Sequence, residues 1–444
     1  MSKKSRKTRT AGKVAVALIL AFPLPSGATE PTTVPPLTLE KTIKLVQGHH
    51  PSLKAAIEDI SAADARVTQS KSGYYPQISA AAGYTAITPV SEMSFGGGAP
   101  VKFMPNDNYE VKVTAKMNLL DFGRRDGNVD LALSGKKMAE QSLDLSRREL
   151  SWQTVQLFYG TLFLRESIKV EETQITALNK ALDYAKKRYQ AGTATPFDVF
   201  STEVRIAAAR NRTLDLEHEL RSSELTLYRL TGIEETHPLR LEGSFAATTT
   251  PDHVTTGLVA QALAQRVEAK LTEEQEKMAQ QRHSLAMKES LPVVTGALSV
   301  GFNNGYQPDI YQIRNNVAGN LRVEVPLFTG YHTSAKEQES AAMVRAAAQR
   351  KVDTRQQIQN DVEESVHALQ TSSEKIVTTE AQVKQAELAA QHARIRYENG
   401  MATALDLLDT EASLSQAELA RLQAAYAYVL NNYTLKRVTG EIFW

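Results

Sequence analysis

The stretch RYQAGTATPFD, residues 188–198, joins two long helical patterns through one tight reversal. Gly192 is typical of the position just past a helix end, where glycine adopts a positive φ at little cost. Thr195 is then a candidate N-cap, Pro196 occupies the first helical position, and Asp198 falls where a capping box places its acid. This pattern predicts the tip of a helical hairpin.

A second copy of this tip, RYENGMATALD, occupies residues 396–406. Its glycine, Gly400, lies 208 positions after Gly192 (400 − 192). The offset holds downstream without a gap, because RLTG at 229–232 matches RVTG at 437–440. Two copies of one long hairpin indicate a duplicated chain.

Composition excludes several classes of protein. The 444 residues carry a formal net charge of +1, so no global field attracts nucleic acid, and we expect no nucleic-acid partner. With 42% apolar residues and little glycine or proline, the chain does not have the composition of a disordered protein. It contains no cysteine, so we expect neither a disulfide nor an N-terminal lipid-modified cysteine.

The N-terminus, residues 1–28, reads as a cleaved signal peptide. Basic residues precede a short apolar run at 14–22, and small residues follow at 26–28. A basic nucleic-acid arm would account for the charges but not for the apolar run. No stretch of the chain reaches the roughly 20 apolar residues of a membrane helix, so any membrane span must be made of strands.

Four strands are predicted, in two pairs. The clearest lies at about 109–120, where apolar residues alternate with polar and charged ones. An alternation of about ten residues with charges on one face is typical of a membrane-barrel strand, although a sandwich strand has a similar pattern. The other three are expected at about 76–87, 292–302 and 317–327.

Two very long helices are predicted, at about 126–190 and 333–398. Each covers roughly 95 Å at 1.5 Å per residue, so each must pack along neighbours as coiled coils do. The expected organisation is a signal peptide (1–28), repeat 1 (29–231, tip about 190–196), a linker (232–253) and repeat 2 (254–444, tip about 398–404).

Short motifs mark the ends of these elements: YPQ at 75–77, LDFG at 120–123, LFTG at 327–330 and DLLD at 406–409. Together with the tip glycines and the order helix, strand, loop, strand, long helix, tip, helix, they resemble the outer-membrane factor family, the TolC-type channel-tunnels of Gram-negative bacteria. The resemblance covers essentially the whole mature chain. It implies an α+β membrane protein that forms, as a homotrimer, a 12-stranded outer-membrane β-barrel and a long periplasmic α-helical tunnel.

The same resemblance implies a function. The chain would be the passive exit duct of a tripartite efflux pump or type I secretion system in the lipid of the outer membrane. Its partners would be a periplasmic adaptor and an inner-membrane pump or ABC transporter. The hairpin tips, with Gly192 and Gly400, would lie farthest from the membrane, and we expect them to dock the adaptor.

The resemblance also assigns roles to four side chains. Asp406 and Asp409, at i and i+3 on one helix face, match the family's paired entrance aspartates and are expected to form the pore constriction and selectivity site. Tyr397 and Asp198 match a tyrosine and an aspartate that tie neighbouring hairpins together, the closed-state latch. The alternatives are helix capping for Asp198 and Asp406, simple packing for Tyr397, and a solvated surface acid for Asp409.

The sequence departs from the family pattern at two places, and each departure changes what we expect of the structure. The family usually has Arg-Pro where this chain has Arg266 and Val267, so the helix there is expected to kink less. The family prototype has an arginine two residues after the second tip glycine. Here that residue is Ala402, which puts one closing interaction in question.

Other functional classes have little support. The nine histidines have no metal-ligand spacing, and the chain has no phosphate loop, nucleophile elbow or acid/base pair. We therefore expect no catalytic, cofactor or metal site, and no enzyme. The main alternative is a periplasmic coiled-coil adaptor, which also has long hairpins. Adaptors, however, lack four amphipathic strands in symmetric pairs.

Overall fold

The structure is a computed structural model that describes residues 36–94, 96–98, 100–236, 239–245 and 255–443. The expected signal peptide at 1–28 and part of the expected linker lie outside the described residues. Residues from Pro36 onward belong to one unit.

Each half of the chain runs through the same series of elements. The first half contains α1 (Leu39–His49), α2 (Pro51–Lys71), β1 (Gln77–Ala86), β2 (Glu92–Met93), β3 (Val101–Lys102), β4 (Asp107–Leu120), α3 (Arg124–Gln190) and α4 (Pro196–Thr231). The second half contains α5 (Thr255–Gln265), α6 (Val267–Met287), β5 (Val293–Asn303), β6 (Arg314–Glu324), α7 (His332–Glu398) and α8 (Ala404–Val438).

The two halves of the chain have long helices of the same length at a constant sequence offset. Helices α3 and α7 have 67 residues each, and both their first and their last residues differ by 208 (332 − 124 and 398 − 190). Before the strands the offset is 216, as between the starts of α2 and α6 (267 − 51). The offset changes across the strand pairs, because the loop after β1 is longer and carries the small β2–β3 ribbon.

The fourth long strand differs from the expected 317–327. Strand β6 spans Arg314–Glu324, and its pairing with β5 runs from Arg314 opposite Asn303 to Glu324 opposite Val293. Pro326 follows shortly afterwards and has no N–H to donate to a ladder, so the alternation through Leu327 continues beyond the strand itself.

The expectation of a weaker kink at Arg266 was wrong. Arg266 separates α5 from α6 with φ −65° and ψ 136°, almost the conformation of His50 before Pro51 in the first half (φ −64°, ψ 127°). The Arg266 guanidinium donates to Asp361 at 2.7 Å and to Glu268 at 2.9 Å. These contacts hold the extended residue in place, so tertiary structure keeps the break without a proline.

The four long strands form one antiparallel sheet in the order β1-β4-β5-β6. One row across it joins Ala80, Val113, Val300 and Val317. The three valines of this row are exposed, so the sheet presents an uncovered apolar face. Strands β1 and β6 are its edges.

Long helices account for most of the remaining structure. Helices α3 and α4 form one hairpin, α7 and α8 form the other, and α3 packs against α8 to join them. The Phe163 and Tyr426 rings stack across that junction with centroids 5.0 Å apart. Within the described ranges, no helix combines the length and apolarity needed to cross a membrane.

Candidate functional site

The two tips reverse the chain in the same way. Gly192 has φ +71° and Gly400 has φ +75°, a region that only glycine occupies readily. The residue after each glycine donates its N–H back to the helix, Thr193 to Arg188 O at 2.9 Å and Met401 to Arg396 O at 2.7 Å. An added Cβ would meet no atom within 4 Å at either glycine, so both turns project into open space.

Each returning helix begins with a capping box. Asp198 Oδ2 accepts from Thr195 N at 2.8 Å, and Asp406 Oδ2 accepts from Thr403 N at 2.9 Å. The hydrogen bonds from the Thr403 backbone and hydroxyl lower the pKa of Asp406. The stabilisation from this box is therefore complete above the ordinary carboxyl pKa and is lost as the pH falls through the lowered value.

Tyr397 is almost fully buried, with 2% of its surface exposed. The Arg188 guanidinium lies over its ring, with Cζ 5.1 Å from the centroid, and donates to its backbone carbonyl at 3.4 Å. Burial raises the pKa of the Tyr397 phenol; Arg188 opposes this shift and the Asp198 charge adds to it. In the described part of the chain, Asp198 thus acts on Tyr397 through charge, while its hydrogen bonds serve the helix cap.

Asp409 has a partner that the sequence did not suggest. Arg205 of α4 donates to Asp409 Oδ1 at 2.6 Å, and both side chains remain partly exposed. Asp406 is held by its own helix cap, so the two carboxylates of the DLLD motif have different partners. Within one chain, the negative charge of one of the two expected constriction acids, Asp409, is therefore balanced by the positive charge of Arg205 on the other hairpin.

One cleft of about 460 Å³ gathers several of the expected residues between the tips. Its lining includes Arg188, Asp198, Tyr397, Gly400 and Asp406. The lining therefore brings together both residues of the expected latch, one acid of the expected constriction and one tip glycine. The other acid, Asp409, and the other glycine, Gly192, are not part of it.

Ala402 stands where the family prototype has an arginine. It packs against the buried cluster around Tyr397 at the second tip. The guanidinium next to this tyrosine belongs to Arg188 on the first hairpin. The sequence contained a signal for Arg188, because Arg396 occupies the same place in the second copy of the tip.

Two ion pairs between helices, each with a buried carboxylate and a half-exposed arginine, were also missed. Arg212 of α4 reaches the buried Glu171 of α3, with Nη2 3.2 Å from Oε2, and Arg394 of α7 bonds the buried Glu411 of α8. Alternation and helical spacing do not indicate which charges are covered. In the described ranges, no group of three acidic, histidine or cysteine side chains could hold a metal ion.

A family model described as "Outer membrane efflux protein" matches residues 42–233 and 258–441, one match in each half of the duplicated chain. These matches cover most of the sequence, and the chain belongs to this family. The outer membrane protein TolC of Vibrio cholerae is 22% identical over 411 residues, which are 88% of this chain and 88% of that protein. The proteases secretion protein PrtF of Dickeya chrysanthemi is 23% identical over 312 residues, 68% of this chain and 66% of that protein.

Solved structures share the fold. The outer membrane protein VceC of Vibrio cholerae aligns with a TM-score of 0.77 at 22% identity, covering 91% of this chain and 97% of that one. CusC aligns with a TM-score of 0.78 at 15% identity, covering 91% and 92%. Family membership confirms the predicted outer-membrane exit duct for efflux or secretion and favours it over the adaptor alternative. The relatives of this chain include outer-membrane proteins of Gram-negative bacteria, and two of the solved structures, OprN and CmeC, are outer-membrane channels.

Proposed function

We propose that three copies of this chain assemble into one passive duct across the outer membrane. The observation that carries this proposal is the four-stranded sheet, in which β1 and β6 are edges without a strand beside them in the described residues. An open edge in lipid leaves unpaired backbone groups that cost several kcal/mol each. Three copies give twelve strands (3 × 4), an ordinary size for a closed barrel.

The exposed face of the sheet supports its place in lipid. Its apolar row runs without interruption from Val113 to Val300 and Val317, while Lys112 and Lys116 point to the other face with the polar residues of β4. A lipid-facing surface of this kind, with charges turned inward, is what an outer-membrane barrel requires. Export with a cleaved signal peptide at 1–28 and without lipidation belongs to the same proposal.

The tips are then the docking site for a periplasmic adaptor. Gly192 and Gly400 both project into open space, and the long helices carry them far from the sheet. The duct would receive its cargo from an inner-membrane pump or ABC transporter. The relatives include a protease secretion protein and a cation efflux system protein, so both efflux and secretion fit.

The proposal also includes a pore constriction that selects ions and a latch that holds the tunnel closed. Asp406 and Asp409 would form two stacked rings of three carboxylates, and acidic rings are a common basis of cation preference. Tyr397 and Asp198, with Arg188 between the hairpins, would hold the tunnel closed. Each Asp409 brings Arg205 with it, so we expect most of the selectivity to come from Asp406.

Sedimentation of the detergent-solubilised protein tests the assembly. The expected result is a trimer that stays intact without cross-linking. A stable, folded monomer would contradict the duct, because four strands do not close a barrel. Cation-selective conductance in planar bilayers is the matching functional measurement.

A further inference from the structure

Inside one chain, the two hairpins meet through one inserted side chain. Leu408 of α8 inserts into a buried cluster formed by α3 and α4, where it joins Leu178, Ile206 and Ala209. Ile175 and Leu182 pack around this cluster. The first hairpin thus accepts one large side chain from the second.

The α7 side of the equivalent cluster in the second hairpin has smaller side chains. Adding 208 to Ile175, Leu178 and Leu182 leads to Val383, Ala386 and Ala390 on α7. Each of the three is smaller than its counterpart. Val383 and Ala390 are buried within the chain, but Ala386, the counterpart of the buried Leu178, is still partly exposed. Helix α8 already packs along α7, but among the described residues of one chain no third hairpin lies beyond the second.

The side chain that matches Leu408 is correspondingly larger. Subtracting 208 from Leu408 leads to Phe200 on α4, which is 62% exposed. A bulkier insert opposite Ala386, which is smaller than its counterpart Leu178, compensates for the lost volume, and such compensation is the condition for good packing. Covering the exposed phenylalanine ring would also remove apolar surface from water, which favours the contact.

We infer that Phe200 of one copy packs against Ala386 of the next copy. The contact repeats between chains what Leu408 does within a chain. Within one chain, the contact between α3 and α8 joins the first hairpin to the second. The equivalent contact between α7 and α4 would join the second hairpin of one copy to the first hairpin of its neighbour. This inference rests on the proposed trimer, and it names a contact through which neighbouring copies would join to complete the tunnel wall.

A second pair of equivalent residues points to the same interface. Arg188 donates to Thr193 O at 3.3 Å, and Arg396 donates to Met401 O at 3.1 Å, so the two guanidinium groups are oriented alike. Arg188 lies over Tyr397. The counterpart of Tyr397 is Tyr189 (397 − 208), which is 49% exposed. The neighbouring copy would place its Arg396 over Tyr189, a cation–π contact like the one within the chain.

The repeated contact is confined to the tip end of the tunnel. Farther along, Phe163 stacks on Tyr426 within one chain, but the equivalent positions on α7 and α4 are Thr371 and His218. No aromatic stack can form from those two side chains. The interface between copies therefore depends more on Phe200 than the interface within the chain depends on Leu408.

Cross-linking between introduced thiols tests the contact, and the absence of native cysteine removes any background. The variant Phe200→Cys/Ala386→Cys, treated in membranes with a short thiol-to-thiol linker, should give dimer and trimer bands on a denaturing gel. The matched variant Leu178→Cys/Leu408→Cys should react just as well but stay at the monomer position, since both thiols lie in one chain. Each single variant should give no cross-linked oligomer.

The outcomes separate this inference from the proposed function. If the matched variant reacts and native mass measurement finds a trimer, but Phe200→Cys/Ala386→Cys gives no oligomer band, the contact is wrong and the trimer stands. If native mass measurement finds no trimer, both the contact and the duct fail. Oligomer bands from the double variant alone support the contact.

Truncation gives an independent readout that does not depend on thiol reactivity. Phe200→Ala should lower the temperature at which the trimer dissociates, whereas Leu214→Ala should not, although Leu214 is equally exposed on the same helix. Tyr189→Phe should keep the dissociation temperature, and Tyr189→Leu should lower it because leucine has no π face. Equal effects of Phe200→Ala and Leu214→Ala would overturn the inference.

Discussion

The two hairpin tips share their sequence pattern and their backbone, yet their environments differ. Both glycines have a positive φ, and both returning helices start with a capping box. Tyr397 is buried against the first hairpin, whereas its counterpart Tyr189 is exposed. The comparison shows that local sequence decides the shape of each turn, while the position of the neighbouring hairpin decides what the turn can hold.

The same contrast appears in two equivalent ion pairs. Arg394 and Glu411 join the helices of the second hairpin, and Glu411 is buried with 4% of its side chain exposed. Lys186 and Glu203, at the same positions in the first hairpin, lie 3.3 Å apart and are both about half exposed. Of the two acids, only the buried Glu411 carries a large desolvation cost that its arginine must offset.

The largest effect is expected from bulk at both tips. Gly192→Trp/Gly400→Trp should abolish export and adaptor binding while leaving the trimer in the membrane, because each side chain would project from the docking surface. Cargo export and co-purification of the adaptor measure this. Gly192→Ala/Gly400→Ala has the same backbone strain with little bulk and should retain much of the activity. Normal export by the tryptophan variant would place docking elsewhere.

A large effect on ion selectivity is expected at the DLLD motif. Asp406→Asn/Asp409→Asn removes six charges per trimer (2 × 3), so cation preference and block by divalent cations should fall sharply. Reversal potentials in a salt gradient measure the change. Arg205→Gln should act in the opposite direction, because it frees the Asp409 carboxylate from its partner. Unaltered selectivity in the double variant would mean that the filter lies elsewhere in the tunnel.

A moderate effect on stability should distinguish the two ion pairs. Glu411→Gln replaces the buried carboxylate that Arg394 contacts with a neutral amide. This change should destabilise the protein by about 1–3 kcal/mol. Glu203→Gln breaks the exposed counterpart and should cost less than about 1 kcal/mol. Thermal unfolding of both variants in detergent measures the difference. Equal losses would show that burial of the carboxylate does not matter here.

The smallest effect is expected from removing the Tyr397 hydroxyl in the proposed latch. Tyr397→Phe keeps the buried ring and its contact with Arg188 but removes the hydroxyl that Asp198 influences through charge. Resting conductance in planar bilayers should rise slightly, and Tyr397→Leu should raise it further. Conductance that is unchanged in Tyr397→Phe would leave Asp198 with helix capping alone.

Much of the architecture could be predicted from the sequence, because the signals are local and repeated. Gly192 and Gly400 require a positive φ, the threonine and aspartate after each glycine form a cap within one turn, and the alternation in 109–120 marks a strand. Arg266 shows the limit of such reasoning. Its helix breaks without a proline because Glu268 and the distant Asp361 hold its side chain.

What the sequence determined by itself is the duplicated plan: two hairpins, two strand pairs and the places where the chain turns. Those features depend on residues a few positions apart, whose geometry is set by backbone sterics and hydrogen bonds. Tertiary structure alone decided which of two equivalent residues is covered. Tyr397 is buried and Tyr189 exposed, and Asp409 is paired with Arg205, because burial and charge pairing depend on contacts between residues far apart in the chain.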